Sequence, residues 1–406
     1  MAAVPTGSED RLCFAVARSE TCREQKRSSK MGTPVLRAGT PLPLGLSESA
    51  TYSGNNILDE SQFVCDITHM DGKHMKPKTL QDAILFFSNP DNALEYMKRL
   101  RWPDGKVYCP RCGREDVVYL KNQRKWQCKS VHPKRQFSAK VGTVMEDSPI
   151  PADKWLTAVW MLSNCKNGVS SYEVAKAIGV TQKSAWFMLH RIRLGLSLNA
   201  KKFGTKTKIG GGSGPVEVDE TFVGGRLKNM HKDRRARFVS EKGYGTGGSV
   251  GKTAVMGMLD RDMRTVRAKV IPNVKRETLQ ATLLKEVKHG SKIYTDEAVG
   301  YDKVSYNFVH DVVNHMETYV NGQVHTNGIE NFWSLLKRTL KGTYVAVEPF
   351  HLERYVDEQV FRYNHRKHEN KIPMTDLERF EAALPMFAGK RLTFAEVTGK
   401  DGATPF

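Results

Sequence analysis

Residues 216–225 read VEVDETFVGG, and this stretch determines the fold that we expect. Its β-branched residues and its alternation predict a strand, and the closing glycines permit a sharp exit from it. The alternation places Asp219 on the same face as Glu217, with Glu220 on the other face. Asp219 is therefore a candidate metal-binding carboxylate, and Glu217 and Glu220 compete with it for that role.

The sequence that follows this strand predicts a mixed sheet with helices. Two strand-like segments, an amphipathic helix, another strand-like segment and two helices occupy, in this order, residues 252–261, 265–272, 275–290, 292–301, 325–342 and 349–367. Three strands, a helix, a strand and then helices match the ribonuclease-H-like arrangement of a mixed sheet with flanking helices. We therefore expect an α/β fold of that kind.

Two further acids complete a candidate site. Asp296 ends the strand KIYTD, where a carboxylate on a neighbouring strand would meet Asp219. Glu330 lies on the helix predicted over 325–342, and Lys337, seven residues later, shares its face. Metal-assisted phosphoryl transfer uses carboxylates to hold two divalent ions about 3.5–4 Å apart, and oxygen ligands suit magnesium or manganese. Each acid alone could be a solvated charge, but three in this order and in apolar surroundings favour a metal site.

A cysteine-rich segment precedes this region. Cys109-Pro-Arg-Cys112-Gly is a zinc knuckle in which the glycine permits the tight turn. Cys128 follows after 15 intervening residues, and His132 completes a Cys₃His set that predicts a structural Zn²⁺ site in a zinc ribbon. Buried free cysteines are the alternative for the first pair. A solvated His132, with another group as fourth ligand, is the alternative for the second half.

Residues 152–197 predict a helical block that contains a helix-turn-helix. In SSYEVAKAIGVTQKSAWFMLHRIR (170–193), Gly179 supplies the turn between two helices and Thr181 caps the second. The second helix would present its polar residues to DNA, namely Gln182, Lys183, His190 and Arg191. An ordinary helical hairpin without DNA contacts is the alternative.

The composition points to a polyanionic partner. The chain carries 63 Lys and Arg against 44 Asp and Glu, a formal charge of +19, which attracts nucleic acid by counterion release. A ribosomal or membrane-surface protein is the alternative. There is no secretory signal and no apolar run of the roughly 18 residues that cross a bilayer, so we expect a cytoplasmic, nucleoid-associated protein without membrane contacts.

A basic segment over 226–237 (RLKNMHKDRRAR) follows the strand of Asp219. Its arginines, Arg234 and Arg235 among them, and Lys337 are expected to hold DNA phosphates. A mobile charged loop is the alternative interpretation of this segment, and the two are compatible.

Five motifs together resemble a known family. The knuckle at 109–113, QFSAKVGTVMEDS (136–148), the opening strand, YTDEAVGY (294–301) and HTNGIENFWSLLKRTLKGTY (325–344) are similar, in this order, to insertion-sequence DDE transposases of the zinc-ribbon ISXO-like group. The resemblance covers about residues 80–370. It implies a ribonuclease-H-like catalytic domain that cleaves and joins double-stranded DNA at the terminal inverted repeats of a bacterial mobile element.

The resemblance also implies roles for individual residues. It places the first two acids of the triad on Asp219 and Asp296. The third position in this group is an acid or an asparagine with a lysine downstream, so it falls on Glu330 or on Asn327, with Lys337 as the lysine and His325 near the site. Transposition joins two ends, so we expect a homodimer or a larger assembly on DNA. A magnesium-dependent nuclease and a non-catalytic DNA-binding regulator are the alternative functions.

These interpretations divide the chain into five parts. Residues 1–77 are expected to be a disordered leader, unless translation starts at Met70 or Met75. The parts after it are a helical lead-in with the zinc ribbon, the helix-turn-helix domain, the catalytic domain, which begins near the glycine-rich boundary 210–215, and a C-terminal tail: 78–148, 149–205, 206–375 and 376–406.

Overall fold

The computed structural model describes residues 76–102, 104–197, 208–225, 229–242, 250–296, 301, 306–313 and 325–400. All of them belong to one unit that begins at Met70. The expected leader, apart from residues 76 and 77, and the alternative starts at Met70 and Met75 lie outside the described residues. None of the helices in the described ranges combines the length and the apolar character needed to cross a membrane.

The N-terminal half of the described chain is helical, with one small sheet. Its elements are α1 (Leu80–Ser88), α2 (Pro90–Arg101), β1 (Val117–Leu120), β2 (Lys125–Cys128), β3 (Gln136–Phe137), α3 (Ala152–Asn164), α4 (Ser171–Ile178) and α5 (Gln182–Leu196). The three strands form an antiparallel sheet in the order β1-β2-β3.

Local sequence explains where these helices begin and end. The α4 helix starts with a capping box in which the Ser170 side chain accepts from the Glu173 backbone N–H. Gly179, with a φ of 62°, ends it in the left-handed conformation, and the Thr181 side chain caps α5. The expected helix pair and its turn are thus confirmed. The cap of α2 is Asn89, whose side chain accepts from the Asp91 N–H.

The C-terminal half contains a mixed five-stranded sheet. Its elements are β4 (Val216–Val223), α6 (Lys232–Lys242), β5 (Thr253–Asp260), β6 (Thr265–Ile271), α7 (Arg276–Glu286), β7 (Lys292–Asp296), β8 (Val309–Val313), α8 (Asn327–Thr339) and α9 (Pro349–Asn364). The strand order is β6-β5-β4-β7-β8, with β4, β5 and β6 antiparallel and β4, β7 and β8 parallel. The expected mixed α/β sheet is confirmed, and the edge strand β8 is an addition to it.

Helices cover both faces of this sheet. The face of Val218 and Met256 packs against Leu279 and Leu283 of α7. The opposite face, which includes Val255, packs against a group of residues on α8 and α9 that contains Phe332, Trp333, Leu336, Val356 and Val360. Since side chains alternate along each strand, α7 and α8 lie on opposite faces.

The segment 376–400 is not a tail, and the expectation for it was wrong. It forms α10 (Asp376–Ala383), a 3₁₀ turn and α11 (Phe394–Thr398). Phe380 is fully buried and its ring packs against those of Tyr96 on α2 and Trp160 on α3. Polar residues interrupt the apolar ones in this segment, so the sequence did not indicate that it packs against the N-terminal helices. The segment completes the core of the helical half.

The glycine-rich boundary at 210–215 is an ordered turn held by two aspartates. The Gly210 N–H donates to Asp260 Oδ2 at 2.8 Å, and the Gly214 N–H donates to Asp262 Oδ2 at 2.6 Å. Gly210 and Gly211 both have a φ of 82°, which a residue with a side chain rarely adopts. The glycines therefore permit the backbone conformation of a fixed turn that leads into the sheet, and this segment is not a flexible linker.

A buried ion-pair network joins α5 to α9. Arg193 Nε donates to Glu358 Oε2 at 2.6 Å, and their side chains are 2% and 0% exposed. Glu358 also accepts from Arg362, and from the Tyr344 hydroxyl at 2.5 Å. The Arg193 guanidinium lies 4.0 Å from the centre of the Tyr355 ring. Because an unpaired charge here would be costly, this network fixes the helical half against the sheet half.

Candidate active site

The two candidate aspartates lie on neighbouring parallel strands. Asp219 is on the central strand β4, and Asp296 is the last residue of β7. The register pairs Glu217 with Tyr294 and Val218 with Thr295, so the next step along both strands brings Asp219 beside Asp296. This is the meeting of carboxylates on neighbouring strands that the sequence predicted.

Glu330 joins these aspartates from helix α8. It is exposed in the first turn, where its Oε1 accepts from the Thr326 hydroxyl at 3.2 Å. Burial raises the pKa of Asp219 to about 6, and the charges of Asp296 and Glu330 add to that increase. Asp296 and Glu330 therefore both lie within electrostatic reach of Asp219. Asn327, the alternative third residue, is exposed one turn earlier.

Trp333 connects α8 directly to Asp219. Its Nε1–H donates to Asp219 Oδ2 at 2.9 Å, while the Glu220 backbone N–H donates to Oδ1 at 2.7 Å. Gly257 is opposite Asp219 on β5, and a Cβ there would lie 2.5 Å from Trp333 Cζ2. Because Gly257 has no side chain, the indole of Trp333 can pass over β5 and contact Asp219. The two hydrogen bonds orient both carboxylate oxygens of Asp219.

Glu217, a competitor for the metal role, has a different position. It is 1% exposed, and its carboxylate accepts from the Ile329 N–H at 2.8 Å and from Arg261 Nε at 2.6 Å. Arg261 Nη2 also donates to the backbone oxygen of His325 at 2.5 Å. A Cβ on Gly328 would lie 2.7 Å from Glu217 Oε2. Glu217 therefore holds the N-terminus of α8 against the sheet, and His325 belongs to this cluster.

Glu220, the other competitor, lies on the opposite face of β4. The Tyr301 hydroxyl donates to its carboxylate. Burial raises the pKa of Glu220 to about 7, and the charges of Asp219 and Asp296 contribute to that increase. Glu220 thus stands close to the two aspartates but not beside α8.

The basic candidates occupy two places around this site. Lys337 is exposed and shares the face of Glu330, two turns further along α8. Residues 232–237 of the basic segment belong to α6 rather than to a loop, and Arg235 is half-buried on this helix. Arg234 lies on the same helix, but its side chain is outside the described part of the structure, as are residues 226–228.

The donor set of Asp219, Asp296 and Glu330 suits a hard divalent cation, because all its ligand atoms are carboxylate oxygens. Burial and mutual repulsion raise the pKa of Asp219, and a cation between the carboxylates would relieve that repulsion. Within the described ranges, however, only the cysteine group of the ribbon brings three or more ligands within 4.8 Å of one another. The acids therefore lie near one another without forming a closed cage.

The ribbon site does form a closed group. Cys109, Cys112, Cys128 and His132 place one ligand atom each within 4.8 Å of the others. Cys112 Sγ lies 3.6 Å from Cys128 Sγ, and Cys109 Sγ lies 3.5 Å from His132 Nε2. With Zn–S bonds of about 2.3 Å, a tetrahedral site separates its sulfurs by about 3.8 Å, so the group fits Zn²⁺.

His132 is placed as a ligand rather than in solvent. Its Nδ1 lies 2.9 Å from the carbonyl oxygen of Pro133, a hydrogen bond that directs Nε2 toward the cysteines. Gly113, with a φ of 72°, follows Cys112 and makes the turn that the knuckle needs. The structure thus favours His132 over an unidentified fourth ligand.

The expected DNA-facing residues of α5 separate into two groups. Lys183 is exposed in the first turn, and Gln182, half-buried beside it, donates to the Ser171 hydroxyl at 2.8 Å. His190 is fully buried, and Arg191 is 4% exposed and donates to the carbonyl oxygen of Glu146. The expectation that His190 and Arg191 face DNA was wrong, because neighbouring elements cover the second half of α5.

We expect the Glu217→Gln variant to be less stable by about 1–3 kcal/mol, because the Arg261 guanidinium loses its carboxylate partner at a buried position. The free energy of unfolding, measured with a denaturant, checks this. Glu277→Gln, an exposed change on α7, serves as the control and should leave stability unchanged. An unfolding midpoint equal to that of the wild type would show that Glu217 does not hold α8.

Comparisons with known proteins match both halves of the chain. The model of the ISXO2-like transposase domain matches residues 212–364, which include all three candidate acids. The model of the transposase zinc-ribbon domain matches residues 88–130 and ends two residues before His132. A protein from Halobacterium salinarum (strain ATCC 700922 / JCM 11081 / NRC-1), named "Uncharacterized protein in transposable element ISH50", is 29% identical over 264 residues, covering 63% of this chain and 84% of the relative.

Proposed function

We propose that the chain is an active DNA transposase of the ISXO2-like, IS1595 type, since the models of the transposase domain and of the transposase zinc ribbon match residues 212–364 and 88–130. It binds the terminal inverted repeats of an insertion sequence and catalyses DNA cleavage and strand transfer. The observation that carries the proposal is the adjacency of Asp219 and Asp296 on parallel strands, with Glu330 facing them from α8.

The sheet supports a ribonuclease-H-like catalytic domain. Numbered from β4 as 1, the strands stand in the order 3-2-1-4-5, with the first three antiparallel and the last two parallel to the central strand. Helices cover both faces, as the element order in the sequence suggested. The acids would then lie on the central strand, on its parallel neighbour and on the helix that packs across them.

Asp219, Asp296 and Glu330 would hold two Mg²⁺ or Mn²⁺ ions. When bound, such ions would supply activation of the attacking oxygen and stabilisation of the leaving oxygen. Trp333 and the Glu220 N–H fix the two oxygens of Asp219, so this ligand is oriented before DNA arrives. Glu217 fixes the start of α8 and thereby the position of Glu330. We keep Asn327 as the alternative third ligand.

Other surfaces would bind DNA. Lys337 lies on the face of Glu330, where its ammonium group can contact a phosphate near the reacting centre. On α5 the contacts would come from Gln182 and Lys183, since Lys183 is exposed in the first turn and Gln182 is half-buried beside it. Arg234 and Arg235 place further positive charge on α6. The Zn²⁺ of the ribbon has a structural role, since all four of its positions are filled by the chain.

Two transposon ends must be held together for joining, so the working form is a homodimer or a larger assembly on nucleoid DNA. This assembly and the double-stranded DNA partners are part of the proposal.

The test is a strand-transfer assay. The full chain, with Mg²⁺, is incubated with a labelled duplex that carries the inverted repeat found beside the gene and with a plasmid target. We expect labelled ends joined to the plasmid. Cleaved ends without joined products would identify a nuclease instead, and binding without cleavage would identify a regulator, so either result overturns the proposal.

A further inference from the structure

A large groove, lined mostly by charged and polar residues, runs beside the candidate active site. Its volume is about 1440 Å³, which exceeds the roughly 300–1,000 Å³ of small-molecule pockets. One wall is the β5–β6 turn, residues 261–265, and the other is the segment 365–374, which follows α9. We name it the hairpin groove. Its size suits an extended polymer better than a metabolite.

The segment 365–374 is a folded hairpin. The His368 N–H donates to the Ile372 oxygen at 2.9 Å, and the Met374 N–H donates to the Arg366 oxygen at 3.1 Å. Lys371, with a φ of 68°, makes its turn. Because α9 anchors one end and the capped helix α10 the other, the hairpin presents its side chains in fixed positions.

Positive charge predominates among the unpaired side chains of this groove, since Glu369 is the one lining carboxylate without a partner among the described residues. Four exposed cations line its walls and have no carboxylate partner among the described residues: Arg264, Arg366, Lys367 and Lys371. Three of the four groove carboxylates are already engaged. Glu217 is paired with Arg261, Asp262 accepts from the Gly214 N–H, and Glu378 accepts from Thr375. Such cations are suited to phosphate oxygens.

The groove also leads to the acids. Its floor includes Gly328 and Asn331 of α8, and Asn331 directly follows Glu330. Glu217, two residues before Asp219, lies on the same floor. A strand in the groove would therefore pass the start of α8, next to the reacting phosphate. The hairpin lies beyond residue 364, where the match to the transposase domain ends.

We propose that the hairpin groove binds a DNA sugar-phosphate backbone through Arg264, Arg366, Lys367 and Lys371. This inference rests on the proposed function, since it assigns the path of DNA beside the same site. The backbone can belong to the DNA that flanks the transposon end or to the target, and both offer the same phosphate chemistry.

The test compares two variants of the full chain with equal loss of charge. Lys367→Ala/Lys371→Ala removes two cations from the groove, and Lys275→Ala/Lys285→Ala removes two exposed cations at α7, on the other face of the sheet. Binding to fluorescent duplexes is measured across a salt series. Each lost phosphate contact lowers the slope of log K against log salt by about 0.9, so we expect a decrease of about 1.8 for the groove variant alone.

Three duplexes distinguish the sources of the backbone. They are the terminal repeat alone, the repeat with its flank, and DNA of unrelated sequence. A deficit confined to the flanked repeat assigns the groove to flanking DNA, and a deficit with unrelated DNA assigns it to the target. If the double variant folds poorly, Arg264→Gln tests the groove from the opposite wall without altering the hairpin. Its binding to the same three duplexes is then measured.

The two proposals fail in different ways. If the wild type neither cleaves nor joins the repeat, the proposed function is wrong. If the wild type cleaves and joins while the groove variants keep the wild-type salt slope and affinity on all three duplexes, the groove proposal alone is wrong. If the wild type binds none of the duplexes, both are wrong.

Discussion

Asp296→Asn is expected to reduce the rate of Mg²⁺-dependent end cleavage by at least about 10²–10³-fold, the loss seen when one group that stabilises developing charge is removed. Asparagine keeps the shape of the side chain but removes the negative charge that a divalent cation requires. Asp296 is exposed at the end of β7, and the core contacts of that strand come from Ile293 and Tyr294, so folding should persist. The cleavage of a labelled terminal repeat under single-turnover conditions measures the effect.

Asp311→Asn is the matched control for this experiment. Asp311 lies on the adjacent strand β8, opposite Tyr294, and its exposed ion pair with Lys292 contributes little to stability. We expect wild-type cleavage from the control and unchanged DNA binding from both variants. Wild-type cleavage by Asp296→Asn would remove Asp296 from the site. The same assay with Glu330→Gln and Asn327→Ala identifies the third ligand, because only the true ligand should show the large loss.

Removal of zinc is expected to unfold the ribbon and to abolish binding of the transposon end before it affects the chemistry. Structural zinc sites contribute roughly 10–16 kcal/mol of binding free energy to folding. Cys128 is fully buried on β2, two residues after Trp126, whose ring lies 5.5 Å from that of Trp102, the C-cap of α2. A chelator, or the change Cys128→Ala, should therefore alter tryptophan fluorescence as well as the metal content. Metal analysis should give one zinc per chain for the wild type and a loss for the variant.

Cys165→Ala supplies the control, since Cys165 is a half-buried cysteine outside the ribbon group. This variant should keep one zinc per chain. His132→Ala should bind zinc more weakly than the wild type if the imidazole is the fourth ligand, as its position indicates. Retention of zinc at wild-type affinity by Cys128→Ala would contradict the assignment of the cluster.

Local sequence signals predicted much of the fold. The alternation around Asp219, the cap at Thr181 and the glycine at 179 each specify an element through short-range physics, and the structure has those elements. The edge strand β8 escaped notice because its residues, Val309 among them, are partly exposed and lack an apolar alternation. The helices after residue 375 escaped because their apolar residues match a core formed 200 to 300 residues earlier in the chain.

The candidate site was less predictable, because its contacts join distant residues. The bonds of Glu217 to Ile329 and of Asp219 to Trp333 span more than a hundred residues, and no local pattern encodes such pairs. One signal was present, a glycine within the strand-like segment at 257, which often marks a close approach. The wrong prediction that Arg191 faces DNA has a similar cause. Helical periodicity does not indicate how many elements pack around a helix, and therefore which of its polar residues are buried.

The Arg193–Glu358 ion pair has a consequence for the distance between the DNA sequence that is recognised and the bond that is cut. It fixes α5, with Lys183 at its accessible turn, to α9, which packs with α8 over the sheet of Asp219 and Asp296. If the end is bound at the turn of Lys183, the number of base pairs between the sequence that is recognised and the bond that is cut is a constant of the protein. The protein then sets a fixed distance along the DNA, so the position of the repeat, and not the flanking sequence, determines where the DNA is cut.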